Sequence, residues 1–269
     1  MISFQTLLRD AQPLVLPGVY DALSARVAEC AGARAACISG AAVAMAQHAR
    51  PDQGLQNFGE YQVSIGRIAE RSRIPLLVDA EDGFGDVRHV ARTVAALERL
   101  QVGGLILEDL YPFRPGQPAA VVPLDEITAK LETALRTRSN DTTFLVGRSD
   151  AAHVEGLDEA LDRAKCYERV GVDAVLLTGL RDLDDMRRLR DHVDLPLIAV
   201  AAPGKPWAFP SLDDAHRLGY SMLVLPFALL HPVVCAIDSA YQACGGSPPS
   251  PADAERFLST LSRVSSPTT

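Results

Sequence analysis

The sequence contains no apolar stretch of the roughly 18 to 20 residues that a helix needs to cross a bilayer, and it has no run rich in Lys and Arg. The first absence argues against a membrane protein. The second, with 26 basic against 34 acidic side chains and a formal charge of −8, argues against a nucleic-acid surface, whose affinity depends on neutralising phosphates. The first ten residues carry Arg9 and Asp10 but no apolar core and no small-residue cleavage site, so a secretory signal peptide is not expected. The five cysteines (Cys30, Cys37, Cys166, Cys235 and Cys244) are odd in number and widely spread, with neither a C-x-x-C pair nor a His-x-x-x-His spacing. Zinc is therefore not expected, whereas reduced, buried thiols in a cytoplasmic protein are. Low-complexity segments, internal linkers and shifts of composition are also missing, so the 269 residues read as one domain. The expected partners are small molecules.

What the chain does have is a repeating alternation. Short runs of Val, Ile and Leu, each bounded by Gly, Pro or a charge, are followed by stretches with helical periodicity. Eight such runs stand out: Leu14–Leu16, Ala35–Ser39, Leu76–Asp79, Gly104–Glu108, Phe144–Arg148, Ala174–Thr178, Leu197–Ala201 and Met222–Leu225. Most lack polar alternation, as strands of a parallel sheet covered on both faces do. Between them Leu23 and Val27 mark one helix face, Val87–Leu100 is amphipathic, and Leu157–Val170 begins after Gly156. Eight strand–helix units in this length predict a (β/α)8 TIM barrel. A doubly wound open sheet is the alternative, but no G-x-G-x-x-G follows the first strand. The barrel is expected over 1–245, with 246–269 a Gly/Ser/Pro hinge (Gly245–Pro251) and a last helix (Ala252–Val264) of the same domain. Two long connections, Ala46–Gly59 and Leu110–Val122, have the length of functional lids.

In such a barrel the chemistry sits at the C-terminal ends of the strands. There the sequence places Ser39-Gly40, Asp79-Ala80-Glu81-Asp82-Gly83, Glu108-Asp109 and Arg148-Ser149-Asp150. Carboxylates converging on one mouth repel one another unless a cation compensates, and hard oxygen ligands suit Mg²⁺ or Mn²⁺. Arg148 has the fork geometry to grip a substrate carboxylate, with a structural ion pair as the competing reading. A strand-end Asp is commonly the N-cap of the next helix, and for Asp109 and Asp150 capping or loop bracing weighs at least as much as catalysis.

These residues carry a resemblance. Asp79-Ala80-Glu81-Asp82-Gly83-Phe84-Gly85, followed by Glu108-Asp109, resembles the D-x-D-x-G-[FY]-G and E-D signature of the isocitrate lyase/phosphoenolpyruvate mutase superfamily. Tyr20–Arg26 is similar to the family's first βα unit, Ser39-Gly40 to its substrate-binding turn, Pro51-Asp52 to its gating loop, and Arg148-Ser149-Asp150 to its A-R-T-D element. The resemblance implies a (β/α)8 barrel, often with its terminal helix swapped between the subunits of a homodimer or homotetramer, and a Mg²⁺ site that binds small 2-oxo acids. It implies that Asp79, Glu81 and Glu108 hold the metal, directly or through waters, although Glu81 stands where the family has a second aspartate and Asp82 could share its role. Ser39 and Gly40 would meet the oxygens of the carboxylate substrate, Arg148 would bind its carboxylate, Asp52 would lie on the lid and Tyr20 near the substrate. The implied chemistry is a metal-stabilised enolate of pyruvate type.

The loop after the fourth strand, Tyr111-Pro112-Phe113-Arg114-Pro115-Gly116, lacks both the cysteine motif of the isocitrate and methylisocitrate lyases and the Lys and Asn of the phosphonate-forming enzymes. The pattern is most similar to the oxaloacetate decarboxylase branch. The ends of strands seven and eight, Ala201-Ala202 and Pro226-Phe227-Ala228, are more apolar than in that branch, which leaves lyases of alkyl-substituted malates as an alternative. Phosphonopyruvate or phosphoenolpyruvate chemistry and a non-catalytic binding barrel are the others.

Overall fold

The computed structural model describes residues 2–10, 12–50, 54, 56–112, 115–201, 209 and 211–243, with isolated positions between 252 and 260. The chain opens with a short helix α1 (Phe4–Leu7), then β1 (Leu14–Val19), α2 (Ala22–Cys30), β2 (Ala36–Ile38), α3 (Gly40–His48) and α4 (Phe58–Arg71). It continues through β3 (Leu76–Asp79), α5 (Val87–Arg99), β4 (Gly104–Glu108), α6 (Leu124–Thr137) and β5 (Phe144–Ser149). Next come α7 (Ala151–Val154), α8 (Leu157–Val170), β6 (Ala174–Leu177) and α9 (Leu183–His192). The described elements finish with β7 (Leu197–Val200), α10 (Leu212–Arg217), β8 (Tyr220–Leu225) and α11 (Leu230–Ala243). Each strand pairs in parallel with its sequence neighbours, and β8 returns to β1, so the sheet closes into the expected eight-stranded barrel.

The alternation of side chains along each strand divides the core in two. Leu14, Leu16, Cys37, Leu77, Ile106, Val146, Leu176, Ile198, Met222 and Val224 form one buried cluster, joined by Phe4 and Leu7 of α1. This is the barrel interior. The neighbouring positions Ile38, Val78, Leu105, Leu107, Leu145, Val175 and Leu223 belong to a second cluster with the helices. Full burial of such a side chain contributes about 1.5–3 kcal/mol, so both layers favour one register.

Several helix starts are written locally. Asp21 and Ser24, Asn57 and Glu60, and Asp86 and His89 form reciprocal capping boxes on α2, α4 and α5. The structure also departs from the pattern reading. β1 runs on through Pro17 and Gly18, which pair with Leu225 and Cys37 instead of ending the strand. On α2 the core face is Ser24, Ala25 and Ala28, while Leu23 is exposed; small residues pack there because the helix lies close to the sheet. The charged helix α9 turns Asp182, Asp184, Arg187 and Arg188 to solvent and buries Asp185, Met186 and Leu189 on its other face. The hinge Gly245–Pro251 and most of the last helix lie outside the described residues. The four described cysteines are free thiols, and no helix among the described residues is long and apolar enough to cross a membrane.

Candidate active site

Period-two alternation carries the inward row of the barrel to its C-terminal rim. Two residues beyond Leu77, Ile106 and Val146 of the interior cluster come Asp79, Glu108 and Arg148. Glu81, two residues past β3, joins them because its backbone turns left-handed (φ 50°) and its carbonyl accepts the Glu108 N–H at 2.9 Å. Carboxylate oxygens of Asp79, Glu81 and Glu108 all lie within 4.8 Å of one another. Gly40 makes room for this arrangement, since a Cβ there would sit 2.1 Å from Oε1 of Glu81.

The turn that delivers Glu81 is strained. Besides Glu81, Phe84 (φ 64°), Gly83 (φ 86°) and Gly85 (φ 139°) have positive φ, and each non-glycine residue so held costs about 1–2 kcal/mol. Side chains hold the turn in place: buried Lys130 donates to the Asp82 carbonyl (3.0 Å) and carboxylate (3.3 Å), and Thr93 donates to the Gly83 carbonyl at 3.2 Å. Asp82 is thus anchored to Lys130, and Glu81 is the acid that joins the cluster.

Arg148 faces Glu108 at 2.8 Å and Asp79 at 3.6 Å, while its Nε and second amino group donate to Asp150 at 2.9 and 3.2 Å. Burial favours the neutral guanidine, but Glu108, Asp150 and Asp79 outweigh it and hold the arginine charged far above its ordinary range. The ion-pair reading and the site reading of Arg148 therefore coincide. The capping expectation for Asp150 fails: although it precedes α7, its side chain makes no cap hydrogen bond and is committed to Arg148 and to Thr178, whose hydroxyl donates at 2.7 Å. Asp109 is wholly buried and accepts from Ser149, Arg163, Tyr167 and the Asp150 N–H; bracing, not capping, is its geometry. Beneath the cluster, burial and then Asp79 push the Cys37 thiol up, so it stays protonated.

A cavity of about 860 Å³ opens above these groups and is lined by Gly40, Glu81, Glu108 and Arg148. Phe58, Phe84, Leu110 and Tyr111 supply aromatic and apolar surface to its lining, beside polar Asn57 and Gln56. The other expected residues are placed differently. The Ser39 oxygen accepts the Ala42 N–H as N-cap of α3, and Tyr20 is buried just past β1, its N–H donating to Ser24 Oγ. Burial and the neighbouring Asp21 raise the Tyr20 phenol. Neither Ser39 nor Tyr20 is among the residues lining the cavity. Asp52 lies outside the described residues. Sequence reasoning missed His89 and Arg92, which α5 brings to the cavity wall, with Arg92 5.8 Å from the centre of the Phe58 ring. Their only signal was a polar position on an amphipathic helix, which is also what a solvated face looks like.

The closed barrel and its charged mouth define a (β/α)8 enzyme, and comparison with known proteins places it. Residues 4–244 match the family model described as phosphoenolpyruvate phosphomutase. The chain is 32% identical over 230 residues to 2-methylisocitrate lyase of Shewanella oneidensis, covering 84% of this chain and 78% of that one. It is equally 32% identical over 218 residues to oxaloacetate decarboxylase of Chromohalobacter salexigens (80% and 74% covered). Among solved structures, oxaloacetate acetylhydrolase superposes with a TM-score of 0.89 at 26% identity, covering 97% of this chain and 93% of that one. A 2,3-dimethylmalate lyase does so with 0.88 at 26%, covering 98% and 95%. The chain belongs to the phosphoenolpyruvate mutase/isocitrate lyase superfamily, as a carbon–carbon bond lyase.

Proposed function

We propose that this lyase is Mg²⁺-dependent and acts on a small 2-oxo or 2-hydroxy dicarboxylate, with oxaloacetate decarboxylation as its reaction. The observation that carries the reading is the meeting of Asp79, Glu81 and Glu108 within 4.8 Å beside Arg148. Three carboxylates, with Asp150 a fourth acid on the same guanidinium, exceed the charge that Arg148 neutralises. All-oxygen donors suit a small hard dication, so the residues fit the metal. A bound Mg²⁺ would supply a Lewis acid for the 2-oxo oxygen and for the charge that develops there. Arg148 takes a substrate carboxylate, with its other edge held by Asp150 so that the fork is already oriented. Gly40, at the start of α3, offers an N–H without an intrahelical partner to a substrate oxygen. As the C3–C4 bond of the β-oxo acid breaks, carbon dioxide leaves and the electron pair moves toward the 2-oxo oxygen; solvent then protonates C3. The chain needs no cysteine acid for this, which agrees with the sequence of its loop after β4.

The apolar and aromatic part of the lining, Phe58, Phe84, Leu110 and Tyr111, favours a second reading, the cleavage of alkyl-substituted malates. Exposed Val233, Val234, Ile237 and Tyr241 on α11 suit the interface of a homodimer or homotetramer, in which the terminal helix could be exchanged. The test is proton NMR of product from oxaloacetate, alkylated malates and phosphonopyruvate, with Mg²⁺ and with EDTA. Pyruvate from oxaloacetate, lost in EDTA, is expected. Turnover of alkylated malates alone selects the second reading, and calorimetry showing no Mg²⁺-dependent binding of oxalate sinks the metal-enzyme reading altogether.

A further inference from the structure

Behind the mouth lies a buried polar network whose central carboxylate is not among the residues that line the cavity. Its centre is Asp109, the residue after β4, with no exposed surface. One carboxylate oxygen accepts the Asp150 N–H at 2.9 Å. The other accepts the hydroxyls of Ser149 (2.5 Å) and Tyr167 (2.9 Å) and a guanidinium N–H of Arg163 (3.2 Å). Ser149, Tyr167 and Arg163 are themselves buried. Burial and the adjacent Asp109 raise the Tyr167 phenol, which keeps it a donor. The backbone of Asp109 is equally committed. Its N–H donates to the Arg148 carbonyl at 3.2 Å, and its carbonyl accepts the Val122 N–H at 2.8 Å, at the foot of the loop over the cavity. Arg163 donates to the Val122 carbonyl at 2.8 Å as well.

These contacts form one path to the mouth. Asp109 fixes the Ser149 hydroxyl and the Asp150 backbone N–H, the Asp150 carboxylate grips two nitrogens of Arg148, and the Thr178 hydroxyl donates to one of the two oxygens of that carboxylate. An arginine side chain turns about four bonds; with one amino group toward Glu108 and Asp79, the Asp150 clamp on Nε and the second amino group fixes the guanidinium plane. We propose that Asp109 is a positioning residue that sets the aim of Arg148 through the Asp150 turn. The inference rests on the reading of Arg148 as the substrate-carboxylate ligand. It explains why a buried carboxylate stands at this place without facing the cavity: four donors make its position single-valued, and the Arg148 fork inherits that position.

The test uses the full chain with Mg²⁺ and oxalate as probe, read by calorimetry, by thermal melting and by the NMR signal of the Arg148 Nε–H. Asp109→Asn, which loses charge and acceptor capacity, is expected to weaken oxalate about tenfold, in line with the loss of one charge-assisted hydrogen bond, and to shift or broaden the Nε–H signal. Tyr167→Phe and Ser149→Ala, each removing one donor, are expected to weaken oxalate about threefold and to carry the test if Asp109→Asn does not fold. A lowered melting temperature with unchanged oxalate affinity and an unchanged Nε–H signal in these variants overturns the positioning role. Arg148→Lys separates the two levels. If it weakens oxalate while the Asp109, Tyr167 and Ser149 variants do not, only the positioning role falls. If Arg148→Lys itself binds oxalate like the parent, the reading of Arg148 falls and the inference with it.

Discussion

The two halves of the barrel mouth are built alike and filled differently. At the ends of β3, β4 and β5 the inward row finishes in Asp79, Glu108 and Arg148. At the ends of β6, β7 and β8 the same row runs on to Thr178, Val200 and Pro226. Strand alternation and barrel closure treat both halves equally, so geometry does not explain the division. Charge does: Asp79, Glu81 and Glu108 come from β3, the turn after it and the neighbouring β4, which brings their oxygens within 4.8 Å of one another beside Arg148.

Asp79→Ala tests the charged half most severely. Turnover should fall by about three orders of magnitude or more, with the melting transition retained because a rim residue, not the core, is removed; parent-like kinetics would mean that the cluster does no chemistry. Arg148→Lys should come next. A point charge replaces the fork, so KM is expected to rise about tenfold with a smaller change in kcat, measured by initial rates of oxaloacetate loss. On the apolar half the effects should be smaller and should appear as selectivity. Val200→Thr, at a residue 40% exposed, should change the ratio of kcat/KM between alkylated and unsubstituted substrates by up to about tenfold; an equal loss for both would show that this half only seals the site.

The smallest effect belongs at the other end of the barrel. There Glu98 accepts from the Ser139 and Thr143 hydroxyls and from the N–H groups of Ser139 and Asn140. Burial favours its neutral form, but these donors outweigh burial and hold the carboxyl below its ordinary range. A depressed folded-state pKa stabilises the fold above the unfolded value and loses that contribution as pH falls through the folded value. Glu98→Gln should therefore cost about 0.5 kcal/mol near pH 7, kept small by solvent screening. The gap from the parent should close below about pH 4, with oxaloacetate kinetics unchanged. Urea unfolding at both pH values checks it.

Much of this was legible in the residues. The eight apolar runs fall on the eight strands to within a few residues, because continuous burial on both faces leaves a run that turn residues punctuate. Pro17-Gly18 misled as punctuation, since pairing on both sides of β1 overrides a local turn preference. Asp79, Glu108 and Arg148 could be named from their places at strand ends. Glu81 and Asp82 could not be told apart, because the choice rests on one left-handed residue and on Lys130, 48 positions away. For Asp150 the sequence left capping or loop bracing beside catalysis, and its carboxylate clamps Arg148 and accepts from Thr178; a strand-end Asp is the same letter in each role. Ser39 and Tyr20, expected at the substrate, take part in the starts of α3 and α2, and Gly40 lines the cavity.

The sequence by itself determined that strands would alternate with helices, that their inner faces would be apolar, and that acids and an arginine would end three successive strands. These are properties of periodicity and order, which a linear chain carries in full. Only the tertiary structure decided which acids meet, which way Arg148 is aimed and that Asp109 is buried behind it. Those outcomes depend on ring closure, on a strained turn held by distant side chains, and on charges whose partners are neighbours in space and not in sequence.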